Sequence, residues 1–180
     1  MKQLNNYIIE KLQIGSKTKL GDIYNYNYQP ETKEELYNLV RELIEERGNK
    51  ADLNDIDVSE ITNMSTLFYE LNFNGDISKW DVSNVTNMSF MFFNSKFNGD
   101  IKNWDVSNVT NMDSMFCGSQ FNSDISKWDV SKVKNMHAMF NCSNFSGDIS
   151  QWNINNVTNM NYILNDSPLE KNPPKWYKEK

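Results

Sequence analysis

The chain has 180 residues, with 24 acidic against 18 basic side chains, a net charge of −6 and one histidine. That length accommodates one continuous core, and the acidic balance argues against a nucleic-acid-binding surface, which would need a basic patch. Residues 1–50 hold eight basic and eight acidic side chains, so the whole negative excess falls on the remainder.

The first elements read as a compact α/β segment. Residues 5–12 are expected to form a short helix with Tyr7, Ile8 and Leu12 on one face. Period-two alternation in IYNYNY predicts a strand over 23–28, with Tyr24, Tyr26 and Tyr28 on one side, ended by Pro30. Thr32 followed by Glu35 is a capping box. Leu36, Leu39, Val40, Leu43 and Ile44 then mark the apolar stripe of a helix that ends near Arg47, with Gly48 as its stop. The opening MKQLNNYIIEKLQIG has neither a long apolar core nor a small-residue cleavage site, so it does not read as a signal peptide, and the expected location is the cytoplasm. No apolar run is long enough for a membrane span.

From residue 51 onward one phrase governs the chain. WDVSNVTNM opens at Trp80 and again at Trp104, and returns as WDVSKVKNM at Trp128 and WNINNVTNM at Trp152. Trp80, Trp104, Trp128, Trp152 and Trp176 are 24 residues apart, and the same step relates Asn63, Asn87, Asn111, Asn135 and Asn159. A fixed period over several copies signals stacked repeats, none of which can bury its apolar side alone. Within one copy, Ile101, Trp104 and Val106 predict an inward-facing strand, and the spacing of Met112, Met115 and Phe116 predicts one face of a short helical turn. Phe121 closes the coil, and Asn122-Ser123-Asp124 turns into the next. Pro168, Pro173 and Pro174 forbid a regular sixth copy, although Trp176 stays in register.

These copies resemble the BspA-type bacterial leucine-rich repeat family, in its W-DVSNVT-M--MF variety, abundant in mycoplasma and other bacterial surface proteins. The resemblance covers about two thirds of the chain, from Leu53 to Trp176. It implies an α/β repeat solenoid: a short leucine-rich-repeat-like stack of about five coils, with residues 1–50 as an N-terminal α/β cap and 51–180 as repeats closed by a Pro/Trp cap. Such folds specify shape more than function.

Catalysis has little support. His137 stands alone, in a slot filled elsewhere by Ser65, Ser89, Asp113 and Asn161, and Cys117 and Cys142 lack any metal or redox spacing. A disulfide between them is geometrically conceivable, but free thiols are the expectation in a reducing compartment. No cofactor, metal or membrane is implied, and oligomeric state is left open. The Asp57, Asp81, Asp105 and Asp129 column admits two readings: a cation-binding ladder, or carboxylates that cap backbone amides at a bend in every coil. Uniform repetition favours capping. The asparagine column is expected to satisfy buried backbone groups between coils.

Specificity belongs where the copies differ. On one side Lys79, Asn103 and Lys127 vary beside Asp81, Asp105 and Asp129; on the other, Tyr69, Phe90 and Phe93 form an aromatic cluster. The expected function is non-enzymatic binding of another protein through these residues. The alternatives are an acidic inhibitor that imitates nucleic acid at a host or defence enzyme, and a surface adhesin like the family's surface members.

Overall fold

A computed structural model describes residues 26–178. The helix expected over 5–12 and the first part of the 23–28 strand lie outside the described residues.

Helix α1, Lys33–Arg47, forms where the capping signals place it. Thr32 Oγ1 accepts from the Glu35 amide at 3.2 Å, and Glu35 Oε2 accepts from the Glu31 amide at 2.9 Å. Gly48 ends the helix at φ +85°, a conformation that favours glycine, and donates its N–H to Ile44 O. Leu36, Leu39, Val40 and Leu43 are buried in one cluster with the repeat residues that follow. Tyr28 makes a parallel bridge to Ile56, and Arg47 grips Asp55 with two bonds of 3.0 and 3.1 Å. The segment before the repeats is therefore bound to the first of them.

Five 24-residue units follow, at 53–76, 77–100, 101–124, 125–148 and 149–172, and parallel bridges join Asn63, Asn87, Asn111, Asn135 and Asn159 in sequence. Equivalent residues therefore lie over one another. Trp80, Trp104, Trp128 and Trp152 are buried and point inward. Each donates its indole N–H to the carbonyl of the residue opening the preceding unit: Leu53, Ile77, Ile101 and Ile125, at 2.8–3.2 Å. Half-buried Trp176 does the same to Ile149 at 2.9 Å, so the tail keeps register past the last unit. Beside the tryptophans run two columns of stacked phenylalanines. Phe68, Phe92, Phe116 and Phe140 have successive centroids 5.4–5.9 Å apart. Phe73, Phe97, Phe121 and Phe145 lie 6.1–6.3 Å apart. Offset-stacked contact of this kind adds about 0.5–1.5 kcal/mol per pair to area burial.

Two expectations about local structure are corrected. The described residues hold no helix between Arg47 and Pro168. The stretch from Met112 to Gly118 is instead a run of tight turns, and its counterparts in other units repeat it. In the first unit Leu67, Tyr69 and Leu71 donate three residues back, to Met64, Thr66 and Phe68. The alternate amides of Met64, Thr66, Phe68 and Glu70 donate across the gap to Asn87, Ser89, Met91 and Phe93 of the next unit, at 2.8–3.0 Å. A helix would spend every amide on itself; this ribbon gives every second one to its neighbour. The arrangement requires left-handed backbone at two places per unit: Thr66 and Glu70, Phe90 and Asn94, Ser114 and Gly118, Ala138 and Cys142, Tyr162 and Asp166. The second correction concerns Ile101, Trp104 and Val106. They are buried as expected, but Trp104 N–H turns back to Ile101 O, and the bridges between units run through the asparagines.

The asparagine side chains also act differently from expectation. Oδ1 of Asn63, Asn87, Asn111, Asn135 and Asn159 accepts from the amide two residues on, inside its own unit, at 3.0–3.3 Å. Their main chains make the contact between units. After the fifth unit come two single-turn helices, α2, Pro168–Lys171, and α3, Lys175–Lys178. Leu169, Trp176 and Tyr177 pack on the core, half-buried. Among the described residues, no helix is long and apolar enough to cross a membrane.

Replacing Trp104 by Ala should cost about 3–5 kcal/mol in urea unfolding, as for other large aromatic deletions in cores. Trp104→Phe should lose about 1–3 kcal/mol through the stranded Ile77 carbonyl. Trp176→Ala, at the half-buried end, should cost clearly less than Trp104→Ala.

Candidate functional site

The left-handed position that begins each ribbon is filled by Thr66, Phe90, Ser114, Ala138 and Tyr162. A turn sets the backbone there, and four other side chains satisfy it, so nothing in the stacking asks for a phenylalanine at Phe90. Three residues on, the column reads Tyr69, Phe93, Cys117, Asn141 and Asn165. Tyr69 and Phe93 stack with centroids 5.0 Å apart and planes 4° from parallel, and Phe90 leans against Phe93 at 5.8 Å and 49°. All three rings are half-buried. Directly inside them Met88, Met91 and Phe92 are fully buried. The three aromatics named from sequence thus form one contiguous patch across the first two units.

The opposite variable surface is acidic. Asp81, Asp105 and Asp129 are exposed, and Oδ1 of each accepts the amide of the serine two residues on, at 3.1, 3.0 and 2.9 Å. Amide capping is what these carboxylates do. Among the described residues no group of three or more His, Cys, Asp or Glu is placed to hold a metal ion. A second acidic column went unread in the sequence, where its members passed as turn residues. Asp76, Asp100, Asp124 and Asp148 cap the amides of Ser78, Lys102, Ser126 and Ser150 in the same way, at 2.8–3.1 Å. The NGD, NSD and SGD tracts ending at Asp76, Asp100, Asp124 and Asp148 were the signal that could have found it. Lys102 pairs with Asp100 at 2.9 Å, the Lys79 amide donates to Asn54 Oδ1, and Asn103 and Lys127 are exposed on the same side. The two surfaces are separate, so the sequence-named residues fall into two groups.

Hydrogen bonds from Ser107 and Ser131 hold the Asp105 and Asp129 carboxyls below their ordinary range. The backbone amides of Ser78, Ser126 and Ser150 do the same for Asp76, Asp124 and Asp148, and Lys102 does it for Asp100. Neighbouring carboxylates oppose the effect: Asp124 pushes Asp100 and Asp148 up, and Asp129 pushes Asp105 up. Successive carboxylates within each column are therefore close enough for their charges to interact.

His137 is half-buried, and its Nδ1 lies 3.0 Å from Asp113 Oδ1 in the preceding unit, with the Tyr162 ring edge-on at 5.9 Å. Asp113 also accepts from Ser114 Oγ. The pair links adjacent units. Cys117 and Cys142 are free thiols near Asn141 Oδ1 and Asp166 Oδ2. A hollow between the fifth unit and the tail is lined by Asp148, Ile149, Leu169, Pro173 and Lys175.

The capping carboxylates generate a pH dependence. A folded carboxyl depressed below its unfolded value contributes stability that is complete above the usual carboxylate range of about 4 and is lost as pH falls through the depressed values. The urea midpoint should hold steady from pH 7 to about 5 and fall below about 4. The Asp105→Asn/Asp129→Asn double variant should show a smaller drop, because asparagine caps without titrating.

No curated protein and no solved structure matches the chain. The family model described as "Mycoplasma protein of unknown function, DUF285" matches residues 35–141 and 93–176, two overlapping spans that take in most of α1 and all five units. On that coverage, the chain belongs to this family.

Proposed function

We propose that the chain is a non-enzymatic protein-binding module, built as a short solenoid of the BspA-type leucine-rich class, which grips its partner through Tyr69, Phe90 and Phe93. The observation that carries the reading is Phe90. A bulky, half-buried ring stands at φ +57° in a slot that Thr, Ser, Ala and Tyr fill in other units. Every unit adopts left-handed backbone at this slot whatever its side chain, so the stack does not call for the ring. Aromatic area left partly open next to Tyr69 and Phe93 is typical of a contact site. Its support is rigid: the ribbon amides of Phe90, Phe92 and Asn94 are bonded to the third unit at 2.8–2.9 Å. A preformed face of this kind loses little entropy on binding.

A second reading has one observation in its favour. Two columns of carboxylates run down the stack, and within each column successive carboxylates are close enough to perturb one another. That spacing of negative charge suits an inhibitor that stands in for nucleic-acid phosphates.

The two readings separate by salt and by mutation. A partner recovered by pull-down with the intact chain should lose at least about thirtyfold in affinity for Phe90→Ala/Phe93→Ala, since a single hot-spot aromatic contributes about 2 kcal/mol or more. Its binding should change little between low and high salt. Loss confined to Asp81→Asn/Asp105→Asn/Asp129→Asn, with a steep salt slope, would replace the first reading by the second. Circular dichroism and the urea midpoint confirm that each variant is folded.

A further inference from the structure

Every second ribbon amide points toward the following unit, and among the described residues no unit follows the fifth to receive them. In four successive gaps the main chain makes the same contact. Between the fourth and fifth units, Met136 N–H donates to Asn159 O at 2.8 Å, while Thr158 and Asn159 donate back to Lys134 O at 2.8 and 3.2 Å. Ala138 N–H adds a bond to Asn161 O at 2.8 Å. The corresponding groups of the fifth unit are Thr158 O and the amides of Met160 and Tyr162, and none has a partner among the described residues.

The tail does not cover them. Trp176 and Leu169 pack by Ile149 and the Ser146–Ser150 side, and Glu170 Oε2 takes only the last ribbon amide, that of Asp166, at 3.1 Å. Two signs mark the remainder as an unfinished interface. Met64, Met88, Met112 and Met136 are fully buried, whereas Met160 is half-buried. Tyr162 is 60% exposed, the one large hydrophobic side chain so placed among the described residues. The other end differs: α1 packs on the first unit, and Lys33 Nζ bonds Ser65 Oγ in its ribbon. A second copy would have to displace that helix to stack here through its own first unit.

We propose that the Thr158–Tyr162 edge binds an extended segment of another protein, added in parallel register by main-chain hydrogen bonds. One residue of the segment is held at both ends: its carbonyl accepts from Met160 N–H, and its amide, with that of the residue before it, donates to Thr158 O. The carbonyl two residues on accepts from Tyr162 N–H. The side chain between them covers Met160 and must be apolar, and a small polar residue suits the bridging position, as Asn-Met does within the stack. Open strand edges are ready templates for such addition.

The test uses the intact chain and a synthetic nine-residue peptide of its own third unit, VSNVTNMDS, residues 106–114. Amide hydrogen exchange should show Met160 and Tyr162 unprotected in the free chain while Met88, Met112 and Met136 are protected, and the peptide should slow exchange at Met160 and Tyr162 specifically. The same peptide N-methylated at both Thr110 and Asn111 should bind at least tenfold more weakly, because neither amide can donate to Thr158 O. Equal binding of both peptides, or protection elsewhere than at these two amides, would overturn the proposal. So would protection of both amides without peptide that rises with protein concentration, which would assign the edge to a second copy of the chain. Phe90→Ala/Phe93→Ala should leave peptide binding unchanged, which separates this edge from the aromatic patch.

Discussion

A buried amide hydrogen needs an acceptor, and the structure depends on where this chain finds one. No unit satisfies its ribbon amides by itself. Each ribbon alternates, one N–H turned inward to a carbonyl three residues back and the next turned outward to the following unit. The tryptophans apply the same rule to a side chain, reaching back across the stack to an aliphatic residue's carbonyl. Removing the neighbour of any unit would strand several main-chain donors and one face of two phenylalanine columns at once. Stability is therefore a property of adjacent pairs of units, and α1 and the Trp176 tail matter because they stand in for neighbours at the ends.

Much of this was legible in the sequence, for identifiable reasons. The period of 24 residues and the inward direction of Trp104, Val106, Met112 and Phe116 follow from apolar spacing, because burial imposes the same pattern on any backbone that stacks. The capping of α1 by Thr32 and Glu35 was local chemistry, and local chemistry held. Local conformation inside the units was not legible. Met112, Met115 and Phe116 have the spacing of a helical face, and a chain of turns that buries the same residues writes the same letters. Positive φ usually announces itself by glycine, yet here it is carried by Thr66, Phe90, Ser114, Ala138 and Tyr162, with glycine only at Gly118 in the second slot. The bonds to the next unit impose it, and no single residue type records that.

The candidate surfaces divide along the same line. The aromatic patch was visible because it departs from the repeat: Tyr69, Phe90 and Phe93 occupy slots where other units vary. That two of the rings lie parallel and the third leans on them depends on the stacking, which sequence spacing could not supply. The aspartates show the converse. Their uniformity suggested a structural task, and each caps an amide two residues on. Uniform residues can still make a surface, however, since stacking gathers them into columns whose charges act on one another.

The reach of the tryptophan bond carries a consequence for how such a chain can change. Each indole finds its acceptor 27 residues back, one unit plus the three-residue step from Ile to Trp. A deletion or duplication of 24 residues, beginning anywhere inside the run, leaves every tryptophan with an aliphatic carbonyl at that same distance and every ribbon with a neighbour of the same phase. Replication slippage between the near-identical WDVSNVTNM tracts would produce such whole-period changes. The stack can thus lengthen or shorten in one genetic step without passing through an unfolded intermediate sequence, and the irregular slots ride along, so that new surfaces arise by reshuffling units already proven to stack.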